Sequence, residues 1–178
     1  MLLLADTSRY TRGAISVVAT LAQLAAAIAL LAVAGGGVPG VWPDGVGVYL
    51  VGDWPAPFGI VLVVDRLAAV MLTLTAVLGL ATLIYALARW DRAGVHFHSL
   101  FQFLLMGLNG AFLTGDLFNL FVFFEVLLAA SYGLLLHGSG VARVSAGLQY
   151  IAVNLVASFL LLISICLLYT SDAADEED

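Results

Sequence analysis

Apolar residues run along this chain in five long blocks, covering residues 14–34, 58–88, 98–114, 116–137 and 147–169. About 20 apolar residues in a helix, at 1.5 Å rise each, span the hydrocarbon of a bilayer. The pattern therefore predicts an all-α fold, a polytopic membrane helix bundle of five transmembrane helices. The second block is long enough to tilt or to extend into water. The breaks differ in character. Residues 35–57 hold Trp42, Trp54, Pro39, Pro43, Pro55 and Pro57 among glycines, and read as an irregular loop near a membrane surface. Residues 89–97 are a short charged loop, Thr114-Gly115-Asp116 a turn, and 138–146 a Gly/Ser loop with Arg143. The first block, preceded by Arg9 and Arg12, has a second reading as a secretory signal, although its 21 residues are long for one.

The polar residues inside the blocks change the picture most. Between Asp116 and His137 lies one acidic or basic side chain, Glu125, near the middle of its span and the only glutamate before the acidic tail. Placing a charge at that depth costs roughly 2.5–3.5 kcal/mol on insertion scales, so such residues face other helices or water and mark transport sites. Phe118, Phe121, Val122, Ala129 and Tyr132 share its helical face. Asp65 and Arg66 fall in the first third of the second block; as neighbours they do not face each other, so each needs its own partner or reaches outward. Thr75, Gly79 and Thr82 form a small polar stripe suited to helix packing or to an ion. Gln102 and Asn109 share a face, and Gly107 and Gly110 admit a close neighbour; Asn109-Gly110 reads either as small-residue packing or as a helix break of the kind found at ion sites. Gly147, Tyr150, Asn154 and Ser158 recur at helical spacing, as interhelical glue or as part of a polar path. His96 and His98 would point apart on a helix and read as surface residues rather than a zinc pair.

Composition agrees. Of 178 residues, 63% are hydrophobic and 10% charged, against about 25% charged in soluble domains. The net charge of −6 misleads, since five of the twelve acids lie in the last seven residues. There is no lysine, and six dispersed arginines make no nucleic-acid surface. A lone cysteine, Cys166, excludes an internal disulfide. No cofactor motif or metal-ligand cluster stands out. Residues 1–165 read as the membrane domain and 166–178 as an acidic tail, disordered or non-native. Arg9 and Arg12, Arg89 and Arg92, and Arg143 fall on one side under up-and-down threading. Positive loops stay inside, which places residues 1–13, 89–97 and 138–146 in the cytoplasm.

At residues 101–138, FQFLLMGLNGAFLTGDLFNLFVFFEVLLAASYGLLLHG, the chain resembles the D-type subunits of the Mrp-type multisubunit cation/proton antiporters. WPAPFGIVLVVDRLAAVML at 54–72 and GLQYIAVNLVASFLLLI at 147–163 are similar to the same family. Its superfamily includes the antiporter-like subunits of respiratory complex I and of membrane-bound hydrogenases. The resemblance implies a fold of about fourteen helices with two inverted repeats, in which the five blocks match helices two to six and Met1–Leu4 would be a remnant of helix one. It implies that Glu125, in Phe123-Phe124-Glu125, is the family's essential glutamate and proton relay; for such a relay, Asn109, Tyr132, Asn154 and Ser158 are the supporting polar candidates in this sequence. It implies a bacterial or archaeal cell membrane, transported H+ and Na+ without a cofactor, and other antiporter subunits as partners. The family's N-terminus lies outside, so helix two starts inside, as the arginines require. The family's buried lysines are missing, so a fragment inactive alone is expected. Two other functions stay open: a proton-pumping subunit of an electron-transfer complex, and a purely structural piece.

Overall fold

The structure, a computed structural model, describes residues 9–38, 40–42, 44–54, 59–94, 96–138 and 140–175. Met1–Leu4, expected as a helix remnant, the four loop prolines and the end of the acidic tail, Glu176–Asp178, lie outside the described residues. The described residues form five α-helices: α1 Arg9–Ala34, α2 Arg66–Arg89, α3 Phe97–Leu113, α4 Leu117–Leu135 and α5 Val141–Asp175. Four carry apolar stretches long enough to cross a membrane, and α3, at 17 residues, is shorter. At about 26 Å it still approaches the ~30 Å hydrocarbon thickness.

Helix α1 begins earlier than its block, at Arg9, and α5 ends later than its own, at Asp175; the two largest shifts of a block's start are at α2 and α5. Residues 61–64 are a strand, β2 Val61–Val64, paired antiparallel with β1 Gly47–Leu50 in the register Gly47↔Val64 to Leu50↔Val61. The predicted irregular loop is thus partly a hairpin, and α2 starts at Arg66, not 58. The run Ile60–Val64 is apolar at every position, so periodicity cannot separate strand from helix; its β-branched content favours the strand. The second shift is at α5, which begins at Val141, so Arg143 is helical and not in a loop. Helical backbone also continues through Asp175 with no break at residue 165.

Asp65 and Arg66 explain the turn into α2. The Asp65 carboxylate accepts from the Ala68 amide at 2.6 Å and caps α2. Arg66 turns the other way: its Nε donates to Ala34 O at 3.0 Å and an Nη to Gly35 O at 3.4 Å, satisfying carbonyls at the end of α1. Asp116 caps α4 through the amides of Phe118 and Asn119. Between these caps the hairpin is stitched to the α3–α4 turn, with Gly115 N donating to Val61 O and a bridge from Leu62 to Thr114. Open strand edges are not tolerated in hydrocarbon, which puts the hairpin at the membrane surface.

Small residues set the helix contacts. Ala27, Ala34, Ala68, Ala69 and Ala76 are buried where α1 meets α2. Gly79 lets Leu105 of α3 approach, whereas Thr82 faces outward and donates to its own helix. Between α3 and α4 the approach is tightest. A Cβ at Gly110 would stand 2.1 Å from the Phe123 ring, and one at Gly107 2.8 Å from the Leu127 backbone nitrogen. Helix α3 is continuous through Asn109-Gly110, so the packing reading of those residues holds and the broken-helix reading fails. A polar seam joins α1 to α3. Ser16 and Thr20 are fully buried, and Gln102 Nε2 donates to Ser16 O and to Thr20 Oγ1, both at 3.2 Å.

Gly107→Val should therefore destabilise the protein by about 1–3 kcal/mol, because backbone rather than a movable side-chain tip blocks the added methyls; thermal unfolding in detergent checks this. Tyr49 and His96 are both exposed, at opposite ends of the bundle. In a cysteine-free background, Tyr49→Cys and His96→Cys should react with an impermeant maleimide from opposite membrane faces, His96→Cys from the cytoplasmic one. Labelling of both from one face would refute the threading.

Candidate functional site

Glu125 sits near the middle of α4. Packing against α3 uses Phe123, Leu127 and Ala130, and at 100° per residue Glu125 lies on the opposite side of the helix. Its expected face divides: Phe118, Val122 and Ala129 are exposed, whereas Phe121 and Tyr132 are half-buried. Glu125 itself is half-buried. Its Oε1 is out of solvent, and no hydrogen-bond donor meets it among the described residues. Tyr132, seven residues on, lies within electrostatic reach of the carboxylate.

Helix α5 runs antiparallel beside this face. Leu136 lies over Gly147, the Tyr132 and Tyr150 rings meet edge-to-face at 5.6 Å, and Tyr169 OH donates to Asp116 at 2.7 Å. As the contact moves back along α4 it moves forward along α5. At that register Ser158 is level with Glu125, and Asn154 with Ala129. From Gly147 to Thr170 the less exposed positions of α5 are Gly147, Ile151, Asn154, Ser158, Leu162 and Ile165, so the polar pair lies on the stripe turned toward the bundle. The Asn154 amide donates to Tyr150 O on its own helix at 2.8 Å.

Asn109 does not join this group. It lines a cleft of about 150 Å³ with Gln23, Ala26, Leu30, Leu72 and Ala76, between α1, α2 and α3. The structure thus gathers Glu125, Tyr132, Asn154 and Ser158 at the α4–α5 seam and places Asn109 in the α1–α3 seam. A carboxyl with an unfilled acceptor site can gain or lose a proton without breaking an existing hydrogen bond. Among the described residues no group of three or more His, Cys, Asp or Glu is placed to hold a metal ion.

The histidines depart from the sequence reading. His96 is exposed, but His98 is only 4% exposed and stands 3.9 Å from Asp91, itself buried. His137 is buried too; its Nε2 lies 3.2 Å from Trp90 O, and its ring packs against Phe97 at 5.4 Å. Arg143 places its guanidinium 5.2 Å from the Trp90 ring and donates to His137 O. The burial of His98 was legible in one respect. It extends the Gln102–Asn109 face by one turn, and that face meets Gly13, Ser16 and Thr20 of α1.

Comparison with known proteins fits this architecture. The membrane-region family model described as NADH:quinone oxidoreductase/Mrp antiporter matches residues 114–175. A probable K(+)/H(+) antiporter D subunit of Rhizobium meliloti is 60% identical over 92% of this chain and 30% of its own length. The Na(+)/H(+) antiporter D subunit of Alkalihalophilus pseudofirmus is 43% identical over 73% of this chain and 27% of its own. Among solved structures, the Mrp complex from Dietzia sp. aligns with a TM-score of 0.78 at 38% identity, over 91% of this chain and 30% of that one. An archaeal membrane-bound sulfane sulfur reductase aligns with the same TM-score at 27% identity, over 89% and 31%. The chain thus spans a little under a third of the length of the proteins it matches. Shared sequence and a shared helix arrangement together make this chain similar to part of an Mrp-type antiporter D subunit, with residues 114–175 matching the membrane-region model of the NADH:quinone oxidoreductase/Mrp antiporter family.

Proposed function

We propose that this chain contributes a proton-relay carboxylate, Glu125, to a multisubunit antiporter that exchanges protons for a monovalent cation across the cell membrane. The observation that carries this reading is the position of Glu125: mid-span, one oxygen buried without a donor, level with Ser158 and near Tyr132. Removing a carboxyl from water favours its protonated form, and a cation brought near favours the ionised one. A cation that arrives and leaves therefore switches the group between holding and releasing a proton. Each charge carried across the membrane exchanges about 2.3 kcal/mol per 100 mV, so inward proton movement can drive cation efflux. The two antiporter relatives carry K(+) and Na(+) in their names, so the proposal is to the class of monovalent cations. Other antiporter subunits are the proposed partners, and residues 1–13, 89–97 and 138–146 face the cytoplasm.

A second reading has its own support. The sulfane sulfur reductase superposes as well as the Mrp complex does, so the same helices could serve a pump driven by electron transfer. The antiporter relatives favour the first reading. Glu125→Gln in the complete assembly should abolish cation-dependent proton movement in vesicles while leaving assembly intact. Unchanged exchange would remove the relay role. Proton movement in the wild type that requires a reductant rather than a cation gradient would select the second reading.

A further inference from the structure

The buried pair Asp91–His98 has no part in the relay described above. It lies at the end of the bundle where α1 begins, α2 ends and α3 begins. The Asp91 side chain is wholly out of solvent and the His98 side chain 5% exposed, with His98 Nε2 and Asp91 Oδ2 3.9 Å apart. Two features bear on what the pair can do. A cleft of about 450 Å³ between α1 and α2, walled by Tyr10, Gly13, Val17 and Leu87, reaches Asp91 from this end. Gly13 keeps that wall thin: a Cβ placed there would be 4.0 Å from His98 Cε1. Behind the imidazole, Phe97 packs edge-on at 5.4 Å, and beyond Phe97 stands His137.

We propose that Asp91 and His98 form a second proton-binding site, supplied through this cleft from the arginine-rich end, which sets the pH range over which the exchange operates. The regulatory half rests on the antiporter reading; the proton-binding half does not. An imidazole ordinarily changes charge between about pH 5 and 8. Protonation of His98 would set a cation 3.9 Å from the Asp91 carboxylate, out of solvent, where opposite charges attract more strongly than in water. The start of α3 opposes this, because helix N-termini disfavour cations. Among the described side chains, the other charged or titratable groups around the corner are Tyr10 and Arg12 on α1, Arg89 at the end of α2, His96 before α3, His137 just after α4 and Arg143 on α5. No bond is made or broken beyond that to the proton, which arrives from and returns to water.

The test uses the complete antiporter, with imidazole nitrogens followed by NMR from about pH 8 to pH 5, beside the pH profile of exchange in vesicles. His98→Gln should remove one titrating resonance and displace the acid limb of the profile by about one pH unit. Asp91→Asn should change the midpoint of the His98 resonance, and Asp91→Glu, which keeps the charge, should restore it. The titration is read without transport, so it stands whatever Glu125→Gln does to exchange. A His98 resonance that never titrates in this range, or a His98→Gln profile that overlays the wild type, overturns the proposal.

Discussion

The approach of α3 to α4 is the contact on which the site depends. Gly107 and Gly110 remove two side chains from α3, and Leu127 and Phe123 of α4 occupy the space. Between membrane helices there is no hydrophobic gain from leaving water, so association rests on close packing and hydrogen bonds. Fixing Phe123 and Leu127 against α3 also fixes the rotation of α4. Glu125, on the far side of the helix, is then turned toward the α5 seam instead of into helix–helix contact with α3. Its depth follows from the Asp116 cap, which sets where α4 starts.

The bundle divides its polar groups between two seams. In the α1–α3 seam the Thr20 hydroxyl and the Gln102 amide both bond to Ser16 O, and Asn109 lines a cleft nearby. Ser16 Oγ is buried there and meets no hydrogen-bond partner among the described residues, but a hydroxyl does not ionise in the physiological range. The bonds in that seam hold helices together. The α4–α5 seam is different. Asn154 bonds back to its own helix, and Glu125 keeps a buried oxygen open. An ionisable group left open is available for exchange with something that arrives. This contrast, more than the number of polar residues, sets the proposed site apart from the scaffold.

Much of this was legible in the sequence because hydrocarbon leaves few options for a backbone. Block length placed the helices, and the isolation of Glu125 in its span singled out the residue on which the proposed relay rests. What could not be read follows from missing long-range information. Val61–Val64 is apolar at every position, and only pairing with Gly47–Leu50 decides that it is a strand. His98 carries no local sign of its proximity to Asp91, which sits across a glycine-containing turn. The α4–α5 register that brings Ser158 level with Glu125 depends on Gly147 meeting Leu136, a contact that spacing within either helix does not specify.

The strap between Val61 and Gly115 has a mechanical meaning. It joins the strand feeding α2 to the turn feeding α4, and the Asp65 cap continues that strand directly into α2. The two helices therefore cannot slide past one another at that end without tearing backbone pairing. The opposite pole is held by side chains instead, where His137 Nε2 lies 3.2 Å from Trp90 O and the Arg143 guanidinium stands 5.2 Å from the Trp90 ring.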